Sequence, residues 1–230
     1  MKRLLLLLSL SAIALLASCN STSENTEVTI SINGLKKGTV YLQKITEAGL
    51  INLDSVESNG KETLNLGLNL NHPELIYAYL DKADGSTFND RLAIFAEPGE
   101  IHISTSLTNF ENDAVIKAGE EHEAFKNLQE MLSRFNKKDF ELMQLAQTDR
   151  INDDRFVDSI VKQSNSNNIK RYQFIANYAL SNPNKYVSAY LVTSEGEELN
   201  PKWKDSIFNN FSEAIKKSTY GQQLNSQLSQ

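Results

Sequence analysis

The apolar positions change period once along the chain. From Val28 to about Ala118 they alternate with polar ones between turn residues, which is the pattern of half-buried β-strands. Val28, Ile30 and Ile32 alternate with Thr29 and Ser31 before an Asn33-Gly34 turn. Val40, Leu42 and Ile45 follow Gly38, then Ile51 and Leu53 lead into Asp54-Ser55-Val56, and Asn59-Gly60 is a hairpin signal. Leu64, Leu66, Leu68 and Leu70 alternate next. A β-prone run over 75–80, an apolar run over 92–96, alternating Ile101 and Ile103, and Val115-Ile116 complete the series. Strands at such short spacing predict an antiparallel β-sandwich or barrel-like domain over 27–118.

At Gly119 the step becomes three or four. Phe125, Leu128, Leu132 and Phe135 share one face of a helix predicted over 120–136 and onward toward Gln147. Phe156, Ile160, Ile169, Tyr172, Ala176 and Ala179 mark a second helical stretch, loosened or broken by the polar patch at 164–168 and ended by Asn182-Pro183. A short helix near 186–192 follows. Asn200-Pro201 reads as the cap and first residue of another, with Ile207 or Phe208, Phe211 and Ile215 on its face. The expected fold class is therefore α+β, with the β-domain followed by a helical subdomain of about four helices over 119–230.

Ahead of this body stands a different pattern: Met1-Lys2-Arg3, an apolar run over 4–17 interrupted only by serines, and Ser18-Cys19. Basic, apolar and small-residue regions in that order are those of an export signal. A helix over 4–18 would span roughly 22 Å, short of a hydrocarbon core of about 30 Å. Leu16-Ala17-Ser18-Cys19 resembles the bacterial lipobox, and the resemblance implies removal of residues 1–18 and lipidation of Cys19. Residues 19–26 then form a polar, lipidated tether. The chain is expected in the cell envelope, lipid-anchored, at the outer membrane.

Composition narrows the chemistry. Among 230 residues there is a single cysteine, which leaves no internal disulfide, no CxxC pair and no multi-cysteine metal site. With 23 Lys+Arg against 29 Asp+Glu the net charge is -6, and no basic footprint points to nucleic acid. Losing Lys2 and Arg3 with the leader takes 23 basic side chains to 21, still against 29 acidic ones. Such a body is repelled by anionic headgroups and hangs from its anchor instead of lying flat on the membrane.

Several segments together resemble a known family. Leu53-Asp54-Ser55-Val56 with Asn59-Gly60-Lys61, the stretch Ala93-Ile94-Phe95-Ala96-Glu97-Pro98-Gly99-Glu100-Ile101, and the 115–119 segment opening a helix look like the domain of unknown function 4369. That family forms the β-rich N-terminal region of many Bacteroidota lipoproteins, commonly ahead of a helical linker and a thioredoxin-like domain. Ser181-Asn182-Pro183 and Ser218-Thr219-Tyr220-Gly221 are similar to that linker. The resemblance implies the fold of the accessory region and an envelope location. The thioredoxin domain with its paired cysteines is expected to be missing, because the sequence ends at Gln230.

Candidate residues are few. His72, His102 and His122 lack metal-ligand spacing and are expected to be exposed or half-exposed, so no metal site and no cofactor is assigned. Glu120, Glu121 and Glu123 suit the first turn of a helix. Glu97, in the Glu97-Pro98-Gly99 turn, is expected to cap that turn. Glu97, Pro98 and Gly99, with Phe125 at the adjoining start of the helix, mark the surface where a partner is expected, a thioredoxin-like or other envelope protein. Asp54-Ser55-Val56, Asp158-Ser159-Ile160 and Asp205-Ser206-Ile207 resemble an O-glycosylation acceptor pattern at Ser55, Ser159 and Ser206. The favoured function is a membrane-anchored, non-enzymatic binding or scaffolding module. The alternative is an accessory component of a thiol-disulfide system or a divergent envelope hydrolase.

Overall fold

The computed structural model describes residues 24–46, 48–83 and 90–229. The leader at 1–18, Cys19 and most of the tether lie outside the described residues. Eight strands come first: β1 (Thr26–Asn33), β2 (Gly38–Thr46), β3 (Gly49–Glu57), β4 (Thr63–Leu68), β5 (Glu74–Lys82), β6 (Asp90–Ala96), β7 (Gly99–Ser106) and β8 (Val115–Lys117). They form two four-stranded sheets, in the order β4-β1-β7-β8 and β3-β2-β5-β6. The inward faces pack Val28, Ile30, Ile32, Val40, Leu42, Ile76, Leu80, Ile94, Ile101 and Ile103 into one apolar core, every one of them at most 2% exposed. This is the alternation read from the sequence, and it makes a sandwich with strands followed by helices, the α+β class expected.

Two strand connections differ from expectation. Asn59-Gly60 adopts the positive φ pair of a tight turn, 44° and 85°, yet it joins strands of opposite sheets and makes no hairpin. Its Gly60 N–H donates to Lys36 O, which fastens the β3–β4 connection to the β1–β2 connection. The sheet is also not wholly antiparallel. β1 and β7 run parallel, from Thr26 opposite Gly99 to Asn33 opposite Ser106. β1 begins at Thr26, so the last residue assigned to the tether already lies in the sandwich, and Asn25 donates from its backbone to Asn69 Oδ1.

Six helices follow among the described residues, where about four were expected: α1 (Glu120–Ala146), α2 (Asp154–Ser181), α3 (Tyr186–Glu195), α4 (Pro201–Asn210), α5 (Glu213–Lys216) and α6 (Thr219–Leu228). α2 is continuous through the polar patch at 164–168. Asn167 is buried there and donates to Phe135 O and to Asp139 Oδ1 on α1, at 3.0 and 2.6 Å, so the patch is an interhelical contact. Asn200 caps α4 through the Lys202 N–H with Pro201 as first residue, as read. α4 ends at Asn210, however, so Phe211 and Ile215 reach the core from the following turn and from α5.

The helices build a second core against the outer face of the sheet holding β5 and β6. Leu75 and Phe95 enter it from the strands, and Phe125, Leu128, Leu132, Ile175, Val187, Leu191 and Leu224 from the helices. The two cores thus share one sheet as their common wall.

Candidate functional site

The β6–β7 turn, the first turns of α1 and the start of α3 are joined by carboxylates acting across elements. Gly119 precedes α1 with φ 92° and has no side chain to cap it. Glu97 supplies the missing acceptor, taking the Glu120 N–H at 3.1 Å and the Glu121 N–H at 3.4 Å. A Cβ on Gly119 would lie 1.7 Å from Glu97 Oε1, so glycine is needed there for space as well as for its φ. Glu97 therefore reaches beyond its own turn to cap a helix.

Glu121 repeats the device one step on. Its side chain is buried and accepts from the Tyr186 and Val187 N–H groups at 3.1 and 3.0 Å, at the start of α3, whose own N-cap, Lys185, offers no side-chain acceptor. Burial raises its pKa above the ordinary glutamate value, and the two backbone N–H bonds hold that rise down. Glu120 beside it pairs with Lys185 at 3.0 Å. The pKa of Lys185 is raised, chiefly by that hydrogen bond.

His122 corrects the expectation of exposure: it is 5% exposed. Its Nδ1 accepts the Phe95 N–H at 3.3 Å, and burial lowers its pKa, so the ring is neutral with its proton on Nε2. Its position three residues before Phe125, on the same helical face as Leu128 and Leu132, is the sequence signal that could have placed it inside. Of the other two, His72 is half-buried and its Nε2 accepts the Thr219 N–H at 3.2 Å. His102 is exposed on β7 beside Glu100. Among the described residues no group of three His, Cys, Asp or Glu side chains is placed to hold a metal ion.

β6 is an edge strand, and its outward backbone groups need partners. Arg91, Ala93 and Phe95 stand at alternate positions, opposite Tyr79, Tyr77 and Leu75 of β5. The Arg91 N–H is taken by Glu111 Oε1 at 3.2 Å and the Phe95 N–H by His122. By the same alternation the N–H and C=O of Ala93, between them, turn outward. They face a cleft of about 400 Å³ between β6, β8 and α1. Ala93, Ile116 and Phe125 line it with apolar surface, Val115 stands exposed at its mouth, and Arg91, Glu111, Lys126 and Gln129 add polar groups around it. The Arg91 guanidinium is held over the Tyr77 and Tyr79 rings and donates to Gln43 Oε1.

The structure thus brings Glu97 and Phe125 to one corner in different roles. Phe125 is 6% exposed, packed on Phe95 and Tyr190, and gives the cleft little of its surface. Glu97 is committed to α1, with Pro98 and Gly99 completing the crossing between sheets. The rim residues had no sequence signal, since β6, the 111–116 segment and α1 are brought together only by the fold. Ser55, Ser159 and Ser206 are all exposed, the first on β3 and the others on α2 and α4.

A two-sheet sandwich with a helical cap and an open cleft at one sheet edge is the class of structure these observations define. Residues 26–125 match the family model described as Domain of unknown function (DUF4369). The match runs from the first residue of β1 to Phe125 and so takes in the whole sandwich, the Glu97 cap and most of the cleft. No curated protein matches the chain, and no solved structure does.

Proposed function

We propose that this chain is a lipid-anchored envelope protein of the Bacteroidota type that works as a non-enzymatic binding module, holding a partner protein in the cleft between β6, β8 and α1. The cleft carries this reading. It combines an apolar lining, an outward-turned stretch of strand edge at Ala93 and a rim of both charges, the combination that receives an extended segment of another protein. The leader and the Leu16-to-Cys19 motif support the anchor. Two or three acyl chains, each methylene worth about 0.8 kcal/mol, make such attachment effectively permanent. Anchoring in turn raises the effective concentration of a weakly held partner at the same membrane. A thioredoxin-like protein is one candidate, on the strength of the family resemblance.

The reading is tested in living cells with a photo-crosslinking amino acid in place of Val115, which is 57% exposed at the cleft mouth. A discrete cross-linked adduct with one envelope protein is the expected result, with none from the same probe at Trp203, on the far helical subdomain. Identical adducts from both positions would count against the cleft.

A further inference from the structure

The sandwich has two ends, and its register shows which features share each. β1 starts at Thr26 and β2 returns antiparallel in the opposite sheet, so β2 finishes at the end where β1 begins. Gly99 lies opposite Thr26, which places the Glu97-Pro98-Gly99 turn there too. At this same end the β2–β3 hairpin carries Ile45 and its cross-strand partner Leu50, then Ile51, which are 59%, 48% and 42% exposed. Ile45 and Leu50 lie on one face of the hairpin and Ile51 on the other, so the tip shows large aliphatic side chains on both faces, left largely uncovered by the other described residues. The helical subdomain packs on Leu75 and Phe95, on the β5 and β6 side of the sheet, and leaves the β2–β3 side open.

We infer that the tip formed by Ile45, Leu50 and Ile51 rests in the lipid surface to which the chain is anchored, so that the sandwich stands end-on on the membrane. The inference rests on the anchored reading above. What selects lipid as the occupant is the coincidence of ends. The described chain enters the sandwich at Asn25, at the end that bears the tip, and the five residues between Cys19 and Asn25 can span no more than roughly 20 Å when extended. A short tether therefore holds this end, and this apolar tip, at the bilayer. Aliphatic side chains enter the interfacial region without needing charge. The acidic body keeps its broad faces off anionic headgroups, which favours a point contact over a flat one. Glu47, in the tip sequence, lies outside the described residues.

The test uses the mature lipidated protein in phosphatidylcholine vesicles. Acylation occupies the Cys19 thiol, so Leu50→Cys introduces the sole reactive cysteine, to be labelled with an environment-sensitive fluorophore. Lys61→Cys is the control. It is exposed in the β3–β4 connection at the opposite end, about 26 Å away for an eight-residue strand. The expected result is an emission rise of at least about twofold at position 50 on vesicle attachment, and strong quenching by nitroxide-bearing lipids, neither occurring at position 61. Raising salt should leave the signal unchanged, because the contact is apolar. Ile45→Cys gives an independent probe of the same tip. Equal quenching at both ends, or none at either, overturns the inference. So does a disulfide between two copies at position 50 without lipid quenching, which assigns the tip to a contact between chains. Intact mass separates the failures: acyl mass present with an unquenched probe sinks only the tip, whereas absent acyl mass and release by washing sink the anchor and the end-on contact together.

Discussion

Replacing Phe95 by alanine is expected to lower the unfolding free energy by about 3–5 kcal/mol, the range for deleting a fully buried aromatic side chain. Phe95 has no exposed surface, and its ring meets Phe125 at 5.8 Å, Tyr190 at 5.7 Å and Tyr220 at 6.2 Å between centroids. Those three rings come from α1, α3 and α6, so one strand residue holds three helices to the sheet. Tyr220 adds a polar tie, its hydroxyl accepting the Leu75 N–H at 3.2 Å, and burial raises its pKa so that the proton stays on. Truncating Phe95 leaves the inner sandwich core untouched and weakens the wall between the cores. Urea unfolding followed by Trp203 fluorescence should therefore precede the transition seen by circular dichroism at strand wavelengths. Coincident transitions with a loss below about 1 kcal/mol would contradict this role. Phe140, 54% exposed, is the matched control and should change stability by no more than about 0.5 kcal/mol when replaced by alanine.

The second large effect is expected at Glu121. Glu121→Ala strips two backbone N–H groups of a charged acceptor, one on the fully buried Val187, and should cost about 2–4 kcal/mol at neutral pH. Glu121→Gln keeps the shape and one acceptor oxygen, and isolates the effect of the charge. The folded-state pKa of Glu121 lies above the ordinary value of 4.5, mainly through burial. The native chain therefore binds that proton more tightly than the unfolded chain. Its contribution to stability is fully present below the ordinary pKa and is lost as pH rises through the raised one. The difference in unfolding free energy, wild type minus Glu121→Gln, should fall as pH rises above 4.5. His122 acts in the other direction. Its pKa is lowered by burial from 6.5, so acidification below that value favours the unfolded state in both proteins and cancels in the difference. A difference curve flat from pH 4 to 8 would contradict the assignment.

These effects sit where sequence and structure part company. Alternation at Val28, Ile30 and Ile32, or at Leu64, Leu66 and Leu68, is a local signal, because a strand side chain's face is fixed by its own backbone. Which strands pair is not local. The parallel β1–β7 ladder joins segments some 70 residues apart, and Asn59-Gly60 encodes a tight turn without encoding the sheet to which the next strand belongs. The continuity of α2 was hidden for a similar reason: Asn167 reads as a helix breaker until Phe135 O and Asp139 satisfy it from α1. At the candidate site, the acidic start of α1 and the unusual position of Glu97 were legible, while the use of Glu97 and Glu121 as caps for helices distant in sequence was not. The cleft was wholly illegible, since Ala93, Glu111, Val115 and Lys126 carry no shared motif and meet only when an edge strand, a short strand and a helix converge.

The central claim, that the cleft holds an envelope partner, is tested most directly by quantitative recovery from detergent-solubilised envelopes with the full lipidated protein and its Val115→Arg variant. Val115 is exposed, so the substitution should leave the unfolding midpoint unchanged while placing a long cation across the mouth of the cleft. The account predicts one protein recovered in near-stoichiometric amount with the wild type and reduced at least about tenfold by the variant, the consequence of losing about 1.4 kcal/mol or more of binding. Recovery of the same proteins in the same amounts by both chains, or of no specific protein by either, would contradict it.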